Sequence, residues 1–168
     1  MQVYFGRGKG KTTAALGQGF RATGHGFKVF MIQFMKGYPQ YGEVKAIAKT
    51  PNFELKQFGT PDLIATPGDI DFEEGRKGME FAEKIIMNDE YDIVILDEIG
   101  VVVEYGIVKI DDVLKLIDNK PEFVEIIITG GPKMHPKIKE RADLLTEMRM
   151  IKHYYSSKGI NARIGIEH

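Results

Sequence analysis

The segment Gly6-Arg7-Gly8-Lys9-Gly10-Lys11-Thr12-Thr13 packs three glycines, three cations and two hydroxyls into eight consecutive residues. That mixture suits polyphosphate binding. Glycines let backbone N–H groups approach an anion closely, and a helix opening directly after them adds its positive end. Lys11 would reach phosphate oxygens, and the Thr12 hydroxyl would ligate a Mg²⁺ bridging them. Gly6, Arg7, Gly8, Lys9, Gly10, Lys11, Thr12 and Thr13 are therefore the candidate nucleotide-binding residues. The usual spacing of a phosphate-binding loop sets a glycine five residues before Gly10. That position is Phe5, and the leading glycine is displaced to Gly6. So shortened, the loop points to a nucleotide without specifying which bond breaks.

A second constellation is Asp97-Glu98, which follows the apolar run Ile93-Val94-Ile95-Leu96. Ligands of open α/β sheets sit beyond the carboxyl ends of the strands, so these carboxylates belong on the same edge as the glycine loop. One would hold Mg²⁺ directly or through water, and the other would orient a neighbour or act as a base. Thr12, Asp97 and Glu98 form the candidate metal set, and Lys11 and Glu98 the candidate catalytic pair. Thr129-Gly130-Gly131 ends another strand at that edge and offers a hydroxyl and free amides, or a plain turn. His25 reads as a cap, and His135, His153 and His168 lack ligand-like spacing.

These side chains need elements to hold them. Val3–Phe5 predicts a strand, and Lys11–Thr23 a helix stopped by Gly24-His25-Gly26. Phe27–Phe34 and Phe53–Phe58 predict two further strands, and Phe72–Met87 a helix. The run Asp92–Asp97 lacks alternation, as a central strand buried on both faces requires. A helix around Val113–Ile117, a strand over Val124–Thr129 and a short helix over Lys137–Ala142 follow. Leu144–Ile166 reads as edge strands or a hairpin about Gly159. Strands alternating with helices predict an α/β fold, a mostly parallel sheet covered on both faces. The segment Lys36–Asp71, rich in Gly, Pro and Tyr, is the candidate lid or substrate surface. Phe34, Tyr38, Tyr41 and Phe58 border it and would form an apolar wall.

Composition narrows the class. The 168 residues carry 23 Lys and Arg against 24 Asp and Glu, a net charge of −1, so no bulk basic field draws the chain to nucleic acid. The chain has no cysteine, so disulfides and thiolate metal sites are excluded. No apolar run approaches the roughly 18 residues of a membrane span. A single domain over 1–168, cytoplasmic and of enzyme size, is the expectation.

The motifs together resemble a known family. Gly6 to Ala15, Arg21-Ala22-Thr23-Gly24-His25-Gly26, Gln33-Phe34-Met35-Lys36-Gly37, Ile95-Leu96-Asp97-Glu98, Ile127-Ile128-Thr129-Gly130 and the closing Lys152-His153 to Gly165-Ile166 are similar to the ATP:corrinoid adenosyltransferases. The likeness spans nearly the whole chain, and the displaced glycine looks like that family's loop variant. It implies a P-loop NTPase (RecA-like) fold and transfer of the 5′-deoxyadenosyl group of ATP to Co(I) of a reduced corrinoid, with release of triphosphate. It further implies Mg²⁺, a homodimer, a reductant protein as possible partner, and a nucleotide lying reversed in the loop. Carried over by residue, it assigns ATP to Gly6 through Thr12 and metal to Thr12 and Glu98, with Asp97 beside it. Arg21, His25 and Gln33 match motif positions without an assigned role. Members displace the lower axial ligand of the corrinoid with an aromatic segment; here Phe58 and Leu63 are the nearest substitutes, with Phe34 as a further corrinoid-binding candidate. Members also carry an amino-terminal cover before the first strand, whose place another element or a partner subunit would take.

The residues alone leave other readings open. A P-loop ATPase or kinase acting on the γ-phosphate would use the same Lys11, Thr12, Asp97 and Glu98. A nucleotide-dependent binding module for single-stranded nucleic acid is disfavoured by the charge balance.

Overall fold

The structure, a computed structural model, describes residues 1–61 and 66–167. Six strands form one parallel sheet: β1 (Gln2–Phe5), β2 (Val29–Phe34), β3 (Phe53–Phe58), β4 (Ile93–Asp97), β5 (Glu125–Gly130) and β6 (Leu144–Glu147), in the order β3-β2-β4-β5-β1-β6. Seven helices accompany them among the described residues: α1 (Lys11–Thr23), α2 (Gly42–Ile47), α3 (Asp69–Met87), α4 (Ile99–Glu104), α5 (Ile110–Asp118), α6 (Pro136–Arg141) and α7 (Tyr154–Lys158). The expected α/β architecture is present.

The strand pleat divides the core in two. Phe30, Ile32 and Phe34, with Val94 and Leu96 and with Ile126 and Ile128, face a cluster completed by Ala82, Ile86, Val113 and Ile138. The alternate residues Val29, Met31, Ile93, Ile95 and Ile127 face the other way, against Ala15, Ala22 and Ile47. Helices α3, α5 and α6 thus cover one face, and α1 and α2 the other. Because both faces are covered, every residue of β4 is buried, which is why its sequence shows no alternation.

Several boundaries differ from those read off the sequence. Helix α3 begins at Asp69, ahead of Phe72, because the Asp71 carboxylate accepts from the Gly68 amide at 2.8 Å and caps the first turn. No hairpin forms about Gly159. The edge-strand alternative holds for its first residues, since β6 pairs parallel to β1 at the edge of the sheet, and Gly159, at φ 64°, ends α7. The segment Lys36–Asp71 contains α2 as well as β3. Helix α4 follows β4 after a single residue, Glu98, whose φ of 64° turns the chain sharply.

Candidate active site

The loop between β1 and α1 is shaped by glycine at its two ends. Gly6 and Gly10 adopt φ of 119° and 114°, a region that side chains rarely enter. The residue after β6 presses on this loop: the Gly8 amide donates to the Met148 carbonyl at 2.6 Å, and a Cβ on Gly6 would stand 2.5 Å from that oxygen. One loop amide is therefore engaged by the protein itself. Lys11 Nζ donates back to the Gly8 carbonyl at 2.9 Å, folded over the loop it would serve.

Opposite the loop, Asp97 is fully buried, and its two oxygens accept four donors. Oδ1 accepts from the hydroxyls of Thr12 at 3.0 Å and Thr129 at 2.8 Å. Oδ2 accepts from Gln33 Nε2 at 3.2 Å and Lys36 Nζ at 2.6 Å. Thr129 Oγ1 also accepts the Glu98 amide at 2.8 Å, so the turn carrying Glu98 is tied to the neighbouring strand. Gln33 bonds Glu43 at 3.2 Å through Nε2 and receives Gln57 at 3.0 Å on Oε1, drawing α2 and β3 to the same edge.

Burial pushes the Glu98 carboxyl above the usual carboxylate range, and the Asp97 charge pushes it further; Lys36 and Lys11 offset only part of this. Burial works against the Lys36 ammonium, yet the Asp97 carboxylate beside it outweighs that, with Glu98 and Glu43 adding, and its pKa lies above its ordinary range. Thr12, Asp97 and Glu98 together offer hydroxyl and carboxylate oxygens, the donors a hard divalent cation prefers. Among the described residues no group of three His, Asp or Glu side chains is arranged around a metal position, so such side chains alone do not complete a cation's coordination here.

A second set surrounds Lys9. Its ammonium meets Glu167 Oε1 and the Ile166 carbonyl, each at 2.9 Å, and Tyr154 Oη at 3.3 Å. Glu167 in turn pairs with Arg163 and with the Tyr154 hydroxyl. Residues after β6 are thus folded back onto the loop.

The corrinoid candidates fare differently. Phe34 is fully buried and Phe58 nearly so, both against α3, where a Cβ on Gly78 would lie 2.6 Å from the Phe34 ring. The wall expected from Phe34 and Phe58 is hydrophobic core: in β2 and β3 both face α3 rather than the sheet edge. Phe34 therefore offers no face to an external ligand. Tyr38 and Tyr41 do stay nearer the surface and stack edge to face, with centroids 5.3 Å apart. Leu63 lies outside the described residues. Neither Lys36 nor the Met148 carbonyl was singled out from the sequence. Lys36 stands inside the recognised Gln33–Gly37 motif, whereas nothing in the sequence marks a backbone oxygen.

The whole chain, residues 1–168, matches the family described as ATP:corrinoid adenosyltransferase BtuR/CobO/CobP. The chain belongs to that family. Among its relatives, the corrinoid adenosyltransferase of Escherichia coli K12 is 34% identical over 167 residues, covering 99% of this chain and 84% of that one. The corrinoid adenosyltransferase of Pseudomonas aeruginosa is 31% identical, with 98% and 81% covered. The corrinoid adenosyltransferase CobA of Salmonella typhimurium is also 31% identical, with 99% and 84% covered. The activity expected from the motifs, adenosyl transfer from ATP to a reduced corrinoid, is the activity of this family of transferases. No helix among the described residues is long and apolar enough to cross a membrane.

Proposed function

We propose that the loop from Gly6 to Thr13 grips the triphosphate of ATP so that the ribose C5′, and not the γ-phosphorus, faces the corrinoid. The observation that carries this is the glycine loop with Lys11 folded over it, standing opposite Thr12, Asp97 and Glu98 in a chain of this family. Co(I) of the substrate is already a strong nucleophile, so no side chain has to remove a proton. Its electron pair forms the Co–C5′ bond while the C5′–O5′ bond breaks, and that bond's pair leaves on the triphosphate. Alignment of the three atoms and neutralisation of the leaving group are what the protein must supply. Lys11 and the amides from Lys9 to Thr13 are suited to the second task. Thr12, Asp97 and Glu98 would hold Mg²⁺, which supplies further positive charge to the leaving triphosphate when bound.

Within this reading Leu63 remains the proposed contact to the lower face of the corrinoid, and Phe58, buried against α3, serves as packing at the end of β3 rather than as a contact. A homodimer, a reductant protein that delivers Co(I), and a cytoplasmic setting complete the proposal, supported by the family resemblance. The decisive experiment incubates the protein with ATP, Mg²⁺ and chemically reduced cobalamin. Adenosylcobalamin and intact triphosphate in equal amounts are expected. ADP or orthophosphate formed without corrinoid would instead establish an ATPase or kinase.

A further inference from the structure

Asp97 is saturated. A carboxylate offers about four lone-pair positions, and Thr12, Thr129, Gln33 and Lys36 fill them. Any cation that binds this carboxylate must displace a donor, and the four are not equally replaceable. Thr129 is fully buried and also holds the Glu98 amide. Gln33 is tied to Glu43 and Gln57. Thr12 supplies a hydroxyl oxygen that can stay as a ligand beside a metal. Lys36 is the one charged donor of the four, and among the described residues Asp97 is its only hydrogen-bond partner. Its side chain is 19% exposed, and a lysine stem is flexible. An ammonium and a divalent cation on one carboxylate repel each other strongly at such separations.

The backbone beneath Lys36 is built to place it. Met35 is left-handed at φ 54°, and the chain then crosses the end of β3 with no room for side chains. A Cβ on Gly37 would stand 2.3 Å from the Gly59 carbonyl oxygen, and one on Gly59 would stand 2.6 Å from the Lys36 nitrogen. Two glycines therefore let the loops after β2 and β3 touch, and the contact sets the ammonium 2.6 Å from Asp97 Oδ2.

We propose that Lys36 is a positioning residue that stands in for the divalent cation on Asp97, so that metal binds well only when the polyphosphate of ATP arrives with it and offers the released ammonium a new counter-charge. The inference rests on the reading of Asp97 as part of the metal site. Its physical content is a coupling: an ammonium that competes with the metal weakens metal binding in the absence of nucleotide, and the same factor reappears as mutual strengthening between metal and ATP.

The test uses Mn²⁺ alone as probe, titrated by electron paramagnetic resonance against the full chain with and without ATP. Lys36→Met should bind Mn²⁺ without nucleotide roughly tenfold or more tightly than the unsubstituted protein, and the tightening produced by ATP should shrink by a similar factor. Lys36→Arg, which keeps the charge, should retain the original coupling. A merely structural ion pair predicts weaker or unchanged Mn²⁺ binding in Lys36→Met, and that result overturns the proposal. If Lys36→Met does not fold, Lys36→Gln is titrated in its place with the same two outcomes. Asp97→Asn separates the underlying reading: loss of Mn²⁺ binding supports the metal site, whereas unchanged binding in the presence of ATP removes the site and this proposal together.

Discussion

Replacing Thr129 by valine exchanges a hydroxyl for a methyl of nearly the same size, so its consequences isolate two hydrogen bonds. The hydroxyl donates to Asp97 at 2.8 Å and accepts the Glu98 amide at 2.8 Å, in a side chain with no solvent exposure. Valine leaves a buried carboxylate one donor short and a partly buried N–H unpaired. Each loss costs about 1–3 kcal/mol, the charged partner toward the upper end, and relaxation recovers part of the total. A net destabilisation of about 3 kcal/mol is expected, equivalent to a melting point lower by about 6–12 °C in a chain of this length. Calorimetry or urea denaturation of Thr129→Val, with Thr129→Ser as the control that restores the hydroxyl, measures it. The serine variant should recover most of the loss. A valine variant that melts within about 2 °C of the unsubstituted protein would show that this network does not hold the edge together.

Lys11→Ala should abolish ATP binding measured by isothermal titration while leaving the melting temperature within about 2 °C, since among the described residues Lys11 bonds only a loop carbonyl. Glu98→Gln should stabilise the protein at pH 7 in the presence of EDTA. The Glu98 pKa is raised on folding, so ionising it opposes the fold, and the gain from glutamine should fade as pH falls below the ordinary value of 4.5; urea midpoints across pH measure this. Glu167 behaves in the opposite sense. Arg163, Lys9 and Tyr154 hold its carboxyl far below the ordinary range, so the contact of the last residues with Lys9 should survive acidification through pH 4.5 and fail only in stronger acid, read as hydrogen-exchange protection of residues 154–167. Gly37→Ala should lower stability by about 1–3 kcal/mol and loosen the Lys36 contact, because its Cβ meets a backbone oxygen and not a movable side chain; chemical denaturation measures the first effect.

Much of the fold was legible because local chemistry decides it. The unbroken apolar run of β4, the glycine loop and the helix starting at Lys11 each declare themselves within a few residues. The nucleotide edge followed, since strand ends of a parallel sheet gather on one side. What was not legible depends on distant segments meeting. Whether Phe34 looks outward or into the core turns on the side from which α3 packs, and the sequence of β2, buried throughout, carries no alternation to say so. Gly159 suits a hairpin and a helix end equally well, and pairing of β6 with β1 left only the second. The role of Lys36 requires two loops to cross at glycines 22 positions apart in the chain, Gly37 and Gly59. The contacts of Lys9 with residues near 166 have no local signal at all.

The bond between the Gly8 amide and the Met148 carbonyl is a main-chain clasp, so no exchange of side chain at position 148 other than through backbone distortion can undo it. Its weakness lies in counting. Adding or removing one residue within β6 moves that carbonyl by about 3.3 Å and turns it toward the opposite edge of the strand. Sequence drift at the clasp is therefore tolerable, whereas a change of length there would unfasten the glycine turn from the sheet.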